Sequence, residues 1–173
     1  MKRILTFTFL LFAFLANAQV KNIFDVARKG NLQEVQELYK KDPKLIDSVD
    51  DRKSSPLILA SYRGNTEVAL FLADKTKNLN YNSGMGTALM AAVMSGNVSI
   101  IEKLIAVKAD LNQADNTGKT ALIYATFFNK TDIVKLLLKA GADKNAKDAD
   151  ARTALDYANF NKNTELIILL DKQ

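Results

Sequence analysis

Histidine and cysteine are the side chains that most often run chemistry near neutral pH, and this 173-residue chain contains neither. That removes a Cys/His zinc site, a thiol nucleophile, a Ser–His pair, a histidine haem ligand and any disulfide. What remains is carboxylate chemistry. Asp47, Asp50 and Asp51 cluster within five residues. Two carboxylates can act as a general acid–base pair when a cleft pushes their pKa values apart. Three can hold Ca²⁺, although this spacing lacks the EF-hand pattern and its glycine. The surrounding residues read as a turn, where a solvated aspartate is the ordinary occupant. No phosphate-binding glycine loop and no nucleophile motif occurs elsewhere. An enzyme is therefore not expected, and neither a cofactor nor a metal site is assigned.

The elements that carry these residues are set by a recurring phrase. Ser55-Pro56-Leu57-Ile58-Leu59-Ala60 returns as Thr87-Ala88-Leu89-Met90-Ala91-Ala92, Thr120-Ala121-Leu122-Ile123-Tyr124-Ala125 and Thr153-Ala154-Leu155-Asp156-Tyr157-Ala158, at a period of 32 or 33 residues. A period in this range marks one supersecondary unit stacked on copies of itself. Such a stack offers an extended surface rather than a catalytic pocket. Nine residues after each opening Ser or Thr stand Gly64, Gly96, Asn129 and Lys162, and Gly30-Asn31 holds the same place upstream. Five units result: a degenerate one near 21–49, then 50–81, 82–114, 115–147 and 148–173.

Each unit has two apolar runs at helical spacing. In the fourth, Ala121, Leu122 and Ala125 lie on one face of a short helix, and Ile133, Val134, Leu137 and Leu138 on one face of a second. The Ser or Thr of the phrase is placed to cap the first helix, with Pro56 behind Ser55. Gly or Asn then ends that helix at positive φ. Thr66, Thr131 and Thr164 are placed to cap the second. Polar turns such as Gly141-Ala142-Asp143-Lys144-Asn145 close each unit.

These residues resemble the ankyrin repeat, whose phrase is T-P-L-H-x-A and whose unit is a β-turn followed by two antiparallel helices. The resemblance covers residues 21 to 173. It implies an all-α solenoid of about five helix–turn–helix units with β-hairpin-like connecting turns. The family's histidine is replaced by Ile58, Met90, Ile123 and Asp156, so weaker bonding between neighbouring units is expected. The turn around Asp42-Pro43-Lys44-Leu45 is irregular, and Thr76-Lys77-Asn78 replaces a Gly-Ala-Asp turn. The end units need polar outer faces. Lys21, Asn22, Arg28, Gln33, Glu34 and Glu37 are assigned to the front, with Asn163, Glu165, Asp171, Lys172 and Gln173 at the back.

The resemblance also implies where a partner sits: on the concave face, made of the hairpin tips and the exposed ends of the first helices. Seven residues after each opening Ser or Thr, at positions that face solvent in the family, come Tyr62, Met94, Phe127 and Phe160. Beside them stand Arg63 and Phe128, and the tips carry Arg52, Lys119 and Arg152. An aromatic and methionine stripe rimmed by cations fits a protein-binding surface. The other reading is that these side chains fold back as core, with one of Phe127 and Phe128 the first candidate. The expected function is an exported, monomeric scaffold that binds a partner protein through this face. The alternative is a binder of a small molecule or envelope component, held by Phe127, Phe160 and Arg152 in a groove shallower than usual ligand sites.

The first residues address the compartment. Lys2-Arg3, an uncharged apolar run from Ile4 to Leu15, and Ala16-Asn17-Ala18 form the three regions of a secretory signal peptide cut between Ala18 and Gln19. The alternative is an uncleaved anchor, but the run is shorter than the roughly 20 residues that span a bilayer. No cysteine follows it, so lipoprotein processing is excluded. The expected domain is 19–173, soluble and without stable membrane insertion, in the periplasm or outside the cell. The formal charge of +5 rests on 24 basic and 19 acidic residues, and without Lys2 and Arg3 it falls to +3. With no Lys/Arg block, a nucleic-acid partner is not expected.

Overall fold

The computed structural model describes residues 21–171, so the signal segment 1–18 and the end-cap residues Lys172 and Gln173 lie outside the described residues. Among the described residues the chain is all-helical, with no strand. Five helix pairs follow one another: α1 (Ile23–Lys29) with α2 (Leu32–Lys41), α3 (Pro56–Arg63) with α4 (Thr66–Lys75), α5 (Ala88–Ser95) with α6 (Val98–Ala106), α7 (Ala121–Phe127) with α8 (Thr131–Lys139), and α9 (Ala154–Phe160) with α10 (Thr164–Asp171). A 3-10 helix at Pro43–Asp47 occupies the irregular turn after α2, with Asp42 capping it through the amide of Lys44.

The helices start where the phrase says they should. The side chains of Ser55, Thr87, Thr120 and Thr153 accept hydrogen bonds from the amides of Ile58, Met90, Ile123 and Asp156, three residues on. This satisfies one of the donors that every helix start leaves open. In the second to fifth units the first helix ends at one left-handed residue. Gly64 has φ 67°, Gly96 76°, and Asn129 and Lys162 both 55°. Lys162 pays the Cβ penalty that glycine avoids.

Two local expectations are corrected. Gly30 does not share this left-handed geometry: its φ is −83° and its ψ −175°. Its glycine answers a steric need instead, since a Cβ there would lie 2.7 Å from the Cα of Val26. The second helices are also not capped by threonine. Thr66, Thr131 and Thr164 occupy the first helical position; α4 and α8 have no side-chain cap, while α2, α6 and α10 are capped by Asn31, Asn97 and Asn163, which accept from the amides of Glu34, Ile100 and Leu166. Asparagine just outside the helix reaches an amide that a threonine already inside it cannot.

The first helices stack in order, α1 on α3, α3 on α5, α5 on α7 and α7 on α9; behind them α2 packs on α4, α4 on α6 and α8 on α10. A single apolar core runs from Ile23 to Leu170, with Leu72, Leu89, Ile100, Leu104, Leu122 and Leu137 among its fully buried side chains. Each such side chain contributes roughly 1.5–3 kcal/mol when fully buried.

The expected weakening between units is offset by asparagine. Asn65 Nδ2 donates to the carbonyl of Gly30 at 2.9 Å, and Asn97 Nδ2 to Thr66 Oγ1 at 2.8 Å. Asn161 reaches the carbonyls of Thr126 and Phe127 at 3.1 Å, and Asn82 that of Ala114 at 2.8 Å. At the tips, the amide of Asn116 donates to Gly84 and that of Ala149 to Thr117, both at 2.9 Å.

Candidate functional site

The turns that precede α3, α7 and α9 are built around one aspartate each. The Asp50 carboxylate accepts from the amides of Arg52 and Ser54, Asp115 from those of Thr117 and Lys119, and Asp148 from those of Asp150 and Arg152. Each second oxygen has a different partner. Asp50 takes Arg28 at 2.7 Å, Asp115 takes the Tyr124 hydroxyl, and Asp148 takes the Tyr157 hydroxyl with Lys119 Nζ at 3.6 Å. Asp47 points elsewhere and accepts from Thr76 and from the Lys77 amide. The three-carboxylate cluster of the sequence is thus taken apart: Asp47 and Asp50 hold turns and unit boundaries rather than a common ligand. Among the described residues no group of three carboxylates could hold a metal ion.

The electrostatics of the two tyrosine pairs follow from this geometry. Burial pulls the Asp148 pKa up, but the Tyr157 hydroxyl, the two backbone amides and Lys119 outweigh it and hold the group below the ordinary carboxylate value. Asp115 behaves in the same way, with Tyr124 and Thr117 as its donors. In return, burial first and the Asp115 carboxylate second push the Tyr124 phenol up to about 12. Tyr124 therefore stays protonated as a donor at any physiological pH.

These pairs anchor the first helices under the stripe. Tyr62, Met94, Phe127 and Phe160 sit at or near the C-terminal ends of α3, α5, α7 and α9, one per unit. Tyr62 is 52% exposed, Met94 38%, Phe127 42%, Phe128 43% and Phe160 80%. None of them is core, Phe127 and Phe128 included. Arg63, Arg52 and Arg152 are exposed and Lys119 is half-buried. The rings are organised: Phe127 meets Phe128 edge-on at 5.1 Å and Tyr157 edge-on at 5.6 Å, while Phe128 stacks on Tyr124 at 6.2 Å. Such pairs add about 0.5–1.5 kcal/mol each beyond burial, so the rings are held in place before anything binds.

The stripe is not one continuous trough. Phe127, Tyr157, Phe160, Arg152, Asp156 and Ala151 line a concavity of about 480 Å³. Tyr62, Arg63, Met94, Ser95 and Phe128 line a second, of about 340 Å³. The two adjacent phenylalanines divide between them. Lys119 and Arg52 line neither. Lys119 Nζ lies 6.0 Å from the Tyr157 ring centroid and supports that ring from below.

Three contributors escape a reading of the phrase alone. Met85, between Gly84 and Gly86 at the tip before α5, is 85% exposed. An apolar residue flanked by two glycines is a visible signal for an exposed tip. Tyr124 and Tyr157 were legible as well, since each follows its turn aspartate by nine residues.

Comparison with known proteins bears on the whole of this architecture. The family model described as "Ankyrin repeats (3 copies)" matches residues 23–115, 78–148 and 100–173. The ankyrin repeat and SAM domain-containing protein 6 of Rattus norvegicus is 31% identical over 101 residues, which is 57% of this chain and 11% of that protein. The probable E3 ubiquitin-protein ligase XBOS32 of Oryza sativa subsp. japonica is 29% identical over 105 residues, 60% of this chain and 21% of that protein. This chain therefore spans only a minor part of the curated relatives it matches.

Proposed function

We propose, from the premise that this chain belongs to the ankyrin repeat family, that it is an exported, non-enzymatic scaffold that holds a partner protein against its first-helix face. Ankyrin repeats generally mediate protein–protein interaction, and proteins built of them are typically non-enzymatic. The single observation that carries the proposal to this surface is the register of Tyr62, Met94, Phe127 and Phe160. Four large apolar side chains stand exposed on four successive first helices. Soluble proteins rarely leave such a row uncovered without a use for it. Arg63 and Arg152 border it, and aromatic residues with arginine dominate binding hot spots. The mechanism is steric: the scaffold holds, stabilises or blocks its partner, and no bond is made or broken.

Export rests on the three-part pattern of residues 1–18, which places the protein in the periplasm or outside the cell. No helix among the described residues is long and apolar enough to cross a membrane. A monomer suits a surface reserved for another protein. The second reading, a small-molecule or envelope-component binder, has one observation in its favour: the 480 Å³ concavity between Phe127, Phe160 and Arg152.

The test is affinity capture from the envelope fraction of the native cell. The wild-type protein is compared with a variant carrying serine at positions 62, 127 and 160. The expected result is one protein retained by the wild type and lost with the variant, while circular dichroism shows both folded. A partner retained equally by both removes the stripe from the site. No partner, together with a thermal shift from a metabolite, moves the second reading ahead. The mass of the protein recovered from the same fraction reports export, with Gln19 expected as the first residue.

A further inference from the structure

We infer that the occupant of this face is an extended, acidic segment of the partner, with apolar side chains three residues apart and its carboxylates lying over the second and third units. The inference rests on the partner-binding reading above and specifies its chemistry.

The charge part comes from an asymmetry between the two concavities. In the one formed by Phe127, Tyr157 and Phe160, the cation is already answered: Arg152 lies 3.6 Å from Asp150, and Asp156 lines the same hollow. The other hollow contains one charge, Arg63, and no carboxylate among its lining residues. Among the described residues neither Arg63 nor Arg52 nor Lys53 has an ion-pair partner. Asp50, in the same tip as Arg52, is committed to Arg28 and to the turn amides, which leaves Asp51 as the one free acid beside two free cations. A guanidinium set against Tyr62, Met94 and Phe128 and left without a counter-charge suits a carboxylate carried on an apolar segment.

The spacing part comes from the stack. The stripe offers one apolar side chain per unit, and the first helices that carry it pack directly on one another. Packed helix axes lie roughly 8–10 Å apart. An extended chain of the polyproline II type rises about 3.1 Å per residue with three residues per turn, so every third side chain returns to one face and meets the next unit. A helical segment, rising about 1.5 Å per residue, would need roughly six or seven.

Fluorescence anisotropy of the purified protein with labelled synthetic peptides of about twelve residues decides this. The first peptide has leucine at every third position and two aspartates at one end. The second carries lysines in place of the aspartates. The third keeps the aspartates but spaces its leucines seven apart on a helix-forming background. The first is expected to bind at least about tenfold more tightly than either of the others. Arg63→Ala should erase most of that margin over the lysine peptide, and Arg63→Glu should reverse it, which also guards against a variant that merely binds less of everything. Equal binding of the acidic and basic peptides, an unchanged margin in both Arg63 variants, a preference for the helical peptide, or no binding by any of the three overturns the inference. The partner-binding reading fails separately, if capture of the native partner survives serine at positions 62, 127 and 160.

Discussion

Asp148 shows what one carboxylate does in this fold. It is buried, accepts two backbone amides and the Tyr157 hydroxyl, and neighbours Lys119. Because its pKa is lower folded than unfolded, the charged form favours the folded state. That stability is fully present above the unfolded value near 4 and is lost as pH falls through the lower folded value. Asp115 adds the same sign from the neighbouring tip. The melting temperature should therefore drop as pH is taken from about 5 to about 2. Asp148→Asn should flatten part of that slope and, at neutral pH, cost about 2 kcal/mol, since hydrogen bonds to a buried charge are worth roughly 1.5–3 kcal/mol. Urea titrations of both proteins across that range check the expectation; parallel pH profiles would place the acid sensitivity elsewhere.

At the scale of the element, Asn97 does two jobs with one side chain. Its oxygen caps α6 through the Ile100 amide at 3.1 Å, and its amide group donates to Thr66 Oγ1 in the preceding unit at 2.8 Å. Asn97→Ala removes both and should cost about 1–2 kcal/mol. Asn97→Asp keeps the acceptor and loses the donor, so it should recover only part of the loss. Full recovery by aspartate would show that the bond between units contributes nothing. At α10 Thr164 looked able to cap the helix, and only the backbone position of the helix start gave that role to Asn163. Gly30 makes the same point. A glycine at the expected offset suggested a left-handed residue, whereas its backbone is extended and passes so close to Val26 that it needs glycine for room.

At the scale of the molecule the described residues form a row of units, and the fifth differs from the fourth on the face turned away from it. Ile123, Thr126 and Leu122 are buried in α7, and their counterparts in α9 are Asp156, Asn159 and Leu155. The first two changes put polar groups on a face that no further unit covers among the described residues. Asp156, the most divergent residue of the four phrases, is exposed and completes a capping box with Thr153. On the same face Leu155 and Ile167 are half-exposed and Ile168 is exposed, so it is less polar than expected. Stability in such a stack is approximately a sum of unit and interface contributions. Deleting residues 148–173 should lower both the urea midpoint and, by about a fifth, the m-value. It should also leave a sticky end at Leu122 and Ile123. Adding Ile123→Asp and Thr126→Asn to the truncated protein should restore solubility. A truncated protein that is wholly unfolded would instead show that the units are not graded.

The sequence by itself determined the repeat, the starts of the phrase helices and the stripe, because each depends on local spacing: a hydroxyl three residues before an amide, a large apolar side chain seven residues later. It also excluded thiol and imidazole chemistry by composition alone. Only the tertiary structure decided which side the stripe faces and how it divides. Exposure is set by what the neighbouring unit covers, and that unit lies more than thirty residues away along the chain. Separation along the chain also hid the fate of the carboxylates. Asp47 and Asp50 are neighbours in sequence, yet one is claimed by Thr76 and the other by Arg28, and a partner at that range leaves no mark on the local pattern.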